Sequence, residues 1–137
     1  MTEAPAAALH VVGAAVVEDG RLLVVSKRAA PDVFYLPGGK PDEGEDELAC
    51  LERELREELS AAPVDVEFFE TVVDEAALEG VEMRMSVYLA ALDRAPAAAA
   101  EIAALAWFES EDTLGGTLAP AVRNQVVPRL REEGLLS

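Results

Sequence analysis

Between Gly38 and Ala61 the chain reads GGKPDEGEDELACLERELREELSA, and no other stretch limits the possible folds as much. Leu36-Pro37-Gly38-Gly39 predicts a turn, because two glycines permit φ values and close backbone approaches that other residues resist. From about Asp46 to Leu59 there is neither Gly nor Pro, and Leu48, Leu51, Leu55 and Leu59 recur three and four residues apart. That spacing predicts a helix with one apolar stripe against a core. At ~100° per residue, Glu54, Glu57 and Glu58 cluster on a neighbouring face, with Glu58 nearest the apolar edge. Like charges at these spacings destabilise a helix by a few tenths of a kcal/mol per pair, so the trio calls for positive charge. Arg53 and Arg56 supply part of it. The stronger candidate is a hard divalent cation, since Mg²⁺ and Mn²⁺ take carboxylate oxygens and Mg²⁺ also reaches substrate phosphates.

The flanking segments predict mostly strands. Residues 1–8 are small and Pro-interrupted and read as a loose lead-in; Leu9 to Val17 reads as a strand buried on both faces. Asp19-Gly20 signals a hairpin into a second strand, Arg21 to Ser26. Lys27-Arg28 at its end are the first clustered basic residues, either meeting substrate phosphates, with Arg28 the candidate carried forward, or marking a solvated strand end. Ala29 to Val33 reads as a loop before Phe34-Tyr35-Leu36. After the helix, Val64 to Asp74 reads as a half-buried strand with Val64, Val66 and Phe68 inward, and Glu75 to Gly80 as an acidic turn. Val81 to Leu92 alternates, with Met83 and Met85 on one face and Glu82, Arg84, Ser86 and Tyr88 on the other. The polar face is expected to line a cleft, where Arg84 either grips phosphate or forms a cross-strand ion pair. Asp93 to Ala100 is a low-complexity loop, and Ile102 to Phe108 a final strand. Leu118, Val122, Val126 and Leu130 mark a C-terminal amphipathic helix that Pro128 should kink or break.

Composition narrows the functions. The 137 residues fit a single domain, 1–137, and the 51% hydrophobic content supports a folded core. With 27 acidic against 11 basic residues the net charge is −16, which argues against nucleic acid or an anionic membrane as partner. A small phosphorylated substrate remains compatible if cations bridge it to the protein. The single Cys50 rules out an internal disulfide and suits a reducing, cytoplasmic setting; a buried structural thiol is preferred to a nucleophile. Neither a signal peptide nor a membrane span is expected.

Gly39, five residues, Glu45, seven residues, then Arg53-Glu54-Leu55-Arg56-Glu57-Glu58 resembles the Nudix box, G-x5-E-x7-R-E-U-x-E-E-x-G-U, with U a bulky aliphatic residue. All charged positions match. The pattern departs where Ser60 replaces the box glycine and Ala61 the last aliphatic residue, which bears on the helix exit rather than on the charged positions. The resemblance to MutT-like members implies an α/β fold, an α/β/α sandwich with a mixed β-sheet. It also implies Mg²⁺-dependent (or Mn²⁺-dependent) hydrolysis of a nucleoside diphosphate linked to a moiety X. Glu54, Glu57 and Glu58 are the implied metal ligands, joined by the Gly38 carbonyl; one of the three, or Glu101, takes the proton from water. Arg53 would orient Glu57 or Glu45, and Glu45 would cap the helix. Lys40 either meets substrate or is exposed. Asn124 is similar in placement to an asparagine that reads the purine in some MutT-like enzymes. A homodimer is a further family expectation. The alternative is a non-catalytic nucleotide-binding module on the same fold.

Overall fold

The computed structural model describes residues 9–75 and 81–137; the lead-in expected at 1–8 and residues 76–80 of the expected acidic turn lie outside them. The valine-rich run at the start forms β1 (Leu9–Ala15), and its successive side chains enter different layers. Val12, Ala14 and Val16 pack with Leu51, Leu55 and Leu59, whereas Ala15 packs with Val122, Val126 and Leu130. The next strand, β3 (Arg21–Lys27), splits the same way, Leu23 and Val25 to one side and Leu22 and Val24 to the other. Strands buried on both faces read as continuous apolar runs, as both do here. The hairpin joining β2 (Val17–Glu18) to β3 is closed by Asp19 at φ 53° and Gly20 at φ 74°, the two left-handed positions of a tight turn.

Two mixed sheets result. In the first, β1 lies between the short β5 (Gly38–Gly39), antiparallel, and β7 (Glu82–Leu92), parallel, and β6 (Pro63–Glu75) pairs antiparallel with β7 at the edge. In the second, β3 pairs with β2 and β4 (Ala30–Tyr35) on one side and β8 (Ile102–Phe108) on the other, and β9 (Thr117–Leu118) runs parallel to β4. Helices cover the outer faces, so the layering is α/β/α. Three expectations change. The loop expected at Ala29 to Val33 is largely β4, because the segment pairs with β3. Leu118 belongs to β9, not to the helix. In β6 two register shifts break the inward Val64-Val66-Phe68 face, leaving Phe68 54% exposed while Phe69 packs on the core.

Helix α1 (Glu47–Leu59) is capped by Asp46, whose Oδ1 accepts from Ala49 N at 2.8 Å. Cys50, Leu51, Leu55 and Leu59 are fully buried, and Leu48, expected on the stripe, is exposed. Burying each leucine contributes roughly 1.5–3 kcal/mol. Ser60 takes the left-handed conformation itself, φ 56° and ψ 32°, and donates its N–H to Arg56 O, so the helix ends as it would with glycine. The loop after β7 completes that end: Ala97 N donates to Leu59 O and Ala99 N to Glu58 O.

At the C-terminus a helical run 120–132 contains a π-helical turn, Val122–Val126, followed by α2 (Val127–Glu132). At Pro128, expected to kink or break the helix, the chain stays helical, but the α-helical pattern is interrupted by the π-helical turn and resumes as α2 with the proline in its first turn. Val127 N donates to Val122 O, five residues back, and the widened turn falls just where the proline ring would press on the Asn124 carbonyl. Among the described residues no helix is long and apolar enough to cross a membrane.

Candidate active site

The charged face of α1 is organised by one guanidinium. Arg53 donates through Nε to Glu45 Oε2 at 2.9 Å and through Nη2 to Glu45 Oε1 at 2.8 Å, a bidentate grip that holds the Glu45 carboxyl down to about 2. Glu45 therefore braces Arg53 and also accepts from Asp42 N, and Asp46 does the capping expected of it. Nη1 of Arg53 reaches Glu54 Oε2 at 2.8 Å and Glu57 Oε1 at 3.3 Å, and Nη2 reaches the Lys40 carbonyl. Glu54 is thus fixed on one oxygen, whereas Glu57 stays on the outer flank of the helix with its side chain about half exposed, 55%.

The glycine turn meets this helix by close backbone approach. Gly38, at φ 146°, donates its N–H to Glu58 Oε1 at 3.0 Å, and a Cβ there would lie 2.0 Å from Val12 O. A Cβ on Gly39 would lie 2.4 Å from Glu54 Cδ, so the carboxylate occupies the space that a side chain would need. Glu58 is 3% exposed, and burial pushes its carboxyl up to about 8, Gly38 N–H and Lys27 opposing and Glu54 and Glu101 adding. Burial also raises Glu54, against its bond to Arg53. Cys50 is fully buried beneath the turn, with its Sγ 3.6 Å from Gly39 O and its thiol pushed up to about 11 by burial, as suits a structural residue.

These groups open on a cleft of about 450 Å³. Glu54, Glu58, Gly38, Gly39, Lys40 and Glu101 line it, so the structure brings together six of the residues singled out from sequence. Arg53 and Glu57 join this group through Glu54 but do not line the cleft, and Arg28, Arg84 and Asn124 lie apart. Arg28 is exposed and outside the cleft; its neighbour Lys27 lines it, 4.0 Å from Glu101 Oε1 and over the Tyr35 ring. The polar face of β7 does not form the cleft: Ser86 and Tyr88 donate to Glu47 on α1, Arg84 is exposed, and Met83 and Met85 supply the wall instead. Asn124 is exposed and bonded to Asp74, while Ala119, Ala121 and Val122 face the cleft. Strand alternation separates two faces but carries no sign of which one a ligand meets, and that is why Met83 and Met85 were missed.

Does this end of the cleft suit a divalent cation? Among the described residues no three His, Cys, Asp or Glu side chains already converge as a ligand set. The donors nevertheless suit a hard cation. Two largely buried carboxylates, Glu54 and Glu58, face the cleft, and carboxylate oxygens are the donors that a hard divalent cation takes; burial raises both.

The fold is α/β/α, with an arginine-braced acidic helix set against a diglycine turn. The sequence profile of the NUDIX domain matches residues 8–130, and the chain belongs to the Nudix family. A Mycobacterium tuberculosis protein provisionally named 8-oxo-dGTP diphosphatase 2 is 40% identical over 73 residues, 51% of this chain and 52% of that protein. The match to these curated relatives thus extends over about half their length. A MutT NUDIX hydrolase from Burkholderia pseudomallei superimposes with TM-score 0.66 at 32% identity, covering 75% of this chain and 84% of that one. The NUDIX domain of Shewanella oneidensis NrtR, solved with ADP ribose, superimposes with TM-score 0.72 at 25% identity, covering 93% and 89%.

Proposed function

We propose that this chain is a Mg²⁺-dependent (or Mn²⁺-dependent) pyrophosphohydrolase that cleaves a nucleoside diphosphate linked to X into a nucleoside monophosphate and phospho-X. The observation that carries the reading is the meeting of Glu54 and Glu58 with Gly38-Gly39 at one end of the cleft, under the Arg53 brace. Glu54, Glu57 and Glu58, with the Gly38 carbonyl, would hold the divalent cation, which would supply neutralisation of phosphate charge and a lowered pKa for water. The chain's own groups do the rest. One of these glutamates takes the proton from water, and Glu54 is the first candidate: Arg53 engages its Oε2, which leaves Oε1 for the proton. Gly38 N–H holds Glu58 in place, and Lys27 and Lys40 bring positive charge to phosphate in a cleft whose other charged groups are acids. Glu101, beside Lys27, is the second candidate base. Named relatives supply candidates for the substrate: an oxidised deoxynucleoside triphosphate from the mycobacterial name and ADP ribose from the Shewanella complex. The one buried thiol and the charge of −16 favour a reducing cytoplasm and a small-molecule partner rather than nucleic acid; a homodimer is part of the same reading.

The test is a screen of nucleoside triphosphates, nucleotide sugars and ADP ribose with Mg²⁺ or Mn²⁺, scoring nucleoside monophosphate release. Turnover abolished by Glu54→Gln with the fold intact is the expected result. Nucleotide binding without turnover in the native chain would instead support the non-catalytic module.

A further inference from the structure

On the sheet face opposite Met83 and Met85, Glu47 in the first turn of α1 gathers polar partners from two strands. His10 Nε2 of β1 lies 2.8 Å from its Oε2, Ser86 Oγ of β7 donates to the same oxygen at 2.7 Å, and Tyr88 Oη of β7 donates to Oε1 at 2.7 Å. Burial works against the charge on Glu47, and these partners outweigh it, holding the carboxyl below its usual range. Ser86 is buried, and the Tyr88 ring is backed by Phe68, which packs edge-on at 5.5 Å. The register shifts of β6 that turn Phe68 outward thus set it against Tyr88. Around this cluster the first turn of the helix is open, with Asp46, Leu48 and Ala49 all exposed.

Glu54 and Glu58 follow Glu47 by seven and eleven residues, so at ~100° per residue all three lie within ~20° of one line along α1. The helix is held at both ends of that line, by Glu47 on β1 and β7 and by the Gly38 N–H on Glu58, with Glu54 between. We propose that Glu47 is a positioning residue for the cation ligands: its bonds to His10, Ser86 and Tyr88 set the rotation of α1 that brings Glu54 and Glu58 to Gly38-Gly39. This rests on the hydrolase reading above. Side chains reach about 5–6 Å from a helix axis, so a rotation of ~10° displaces a carboxylate by about 1 Å. An error of about 1 Å in an active site can cost ~100-fold in rate. The leucine stripe alone sets rotation less sharply, because apolar burial is non-directional whereas hydrogen bonds weaken steeply with angle.

Two variants separate the bonds from the bulk of the side chain. Glu47→Leu keeps a helix-forming residue of similar size without the bonds, and Glu47→Gln keeps an acceptor for them. The probe is Mn²⁺ alone, its free fraction read by electron paramagnetic resonance on the full chain at a temperature where every variant is folded. The Leu variant is expected to bind Mn²⁺ about tenfold more weakly, the lower end of the loss when a residue that orients metal ligands is removed, and the Gln variant within about twofold of the native chain. The Gly38 amide resonance, which reports its bond to Glu58, is expected to move in the Leu variant and to return in the Gln variant. Val126→Ala, a cavity in the core on the other side of the sheet, is the control: it should lower stability to urea and leave Mn²⁺ affinity unchanged. A Leu variant that loses stability but binds Mn²⁺ as the native chain does would make Glu47 a structural anchor only, overturning the proposal and leaving the hydrolase reading in place. Weakening by Gln equal to that by Leu, or equal weakening by Val126→Ala, would also overturn it. A native chain that binds no Mn²⁺ would overturn both readings.

Discussion

Replacing Glu58 by Gln removes a charge while keeping an acceptor for the Gly38 N–H, and the result follows from where that charge sits. Glu58 is 3% exposed, and burial lifts its carboxyl from 4.5 to about 8. A carboxyl held above its unfolded value binds its proton more tightly in the folded state. Its contribution to stability is therefore present in full below about 4.5 and is lost as pH rises through about 8. At 1.36 kcal/mol per pH unit the ceiling is roughly 5 kcal/mol, and relaxation and water entry reduce it to about 3 kcal/mol. Urea unfolding followed by the single Trp107, in chelator at pH 5, 7 and 9, reads the difference directly. The Gln variant should match the native chain at pH 5 and exceed it by about 3 kcal/mol at pH 9. Adding Mg²⁺ at pH 9 should narrow the gap, because a bound cation favours the ionised form. A difference that stays flat from pH 5 to pH 9 would refute the reasoning.

Arg53→Lys loses the bidentate grip on Glu45 and the bond to Glu54, and turnover should fall ~10–100-fold with the circular dichroism spectrum kept; steady-state kinetics on the best substrate reads this. Gly38→Ala would set a methyl 2.0 Å from Val12 O at a φ of 146°, and thermal unfolding should show destabilisation of at least ~3 kcal/mol. Ser60→Gly relieves a left-handed serine at an exposed site and should stabilise by about 0.5–1 kcal/mol, or a melting shift of roughly 2–4 °C.

Much of the fold was legible because short-range rules govern it. The Asp19-Gly20 turn, the doubly buried β1 and α1 each follow from local pattern, and tertiary contacts reinforce rather than oppose them. Misreadings arose where distant partners decide. β4 forms because β3 pairs with it, and Phe68 turns outward because a bulge shifts the parity of β6. At the site, fixed spacing along one helix made Arg53, Glu54 and Glu58 readable. Lys27, Met83 and Met85 were not, since their place in the cleft depends on how two sheets splay, and neighbours such as Arg28 and Arg84 look equally suitable in sequence. Asn124 illustrates the same limit: its side chain is engaged by Asp74, a residue fifty positions away.

The most direct measurement is paramagnetic broadening of backbone amide signals by substoichiometric Mn²⁺. Selective loss of the Gly38, Gly39, Glu54 and Glu58 signals, abolished by the pair Glu54→Gln and Glu58→Gln, is the predicted result. Broadening centred elsewhere, or spread evenly over the acidic surface, would contradict a cation site between α1 and the diglycine turn.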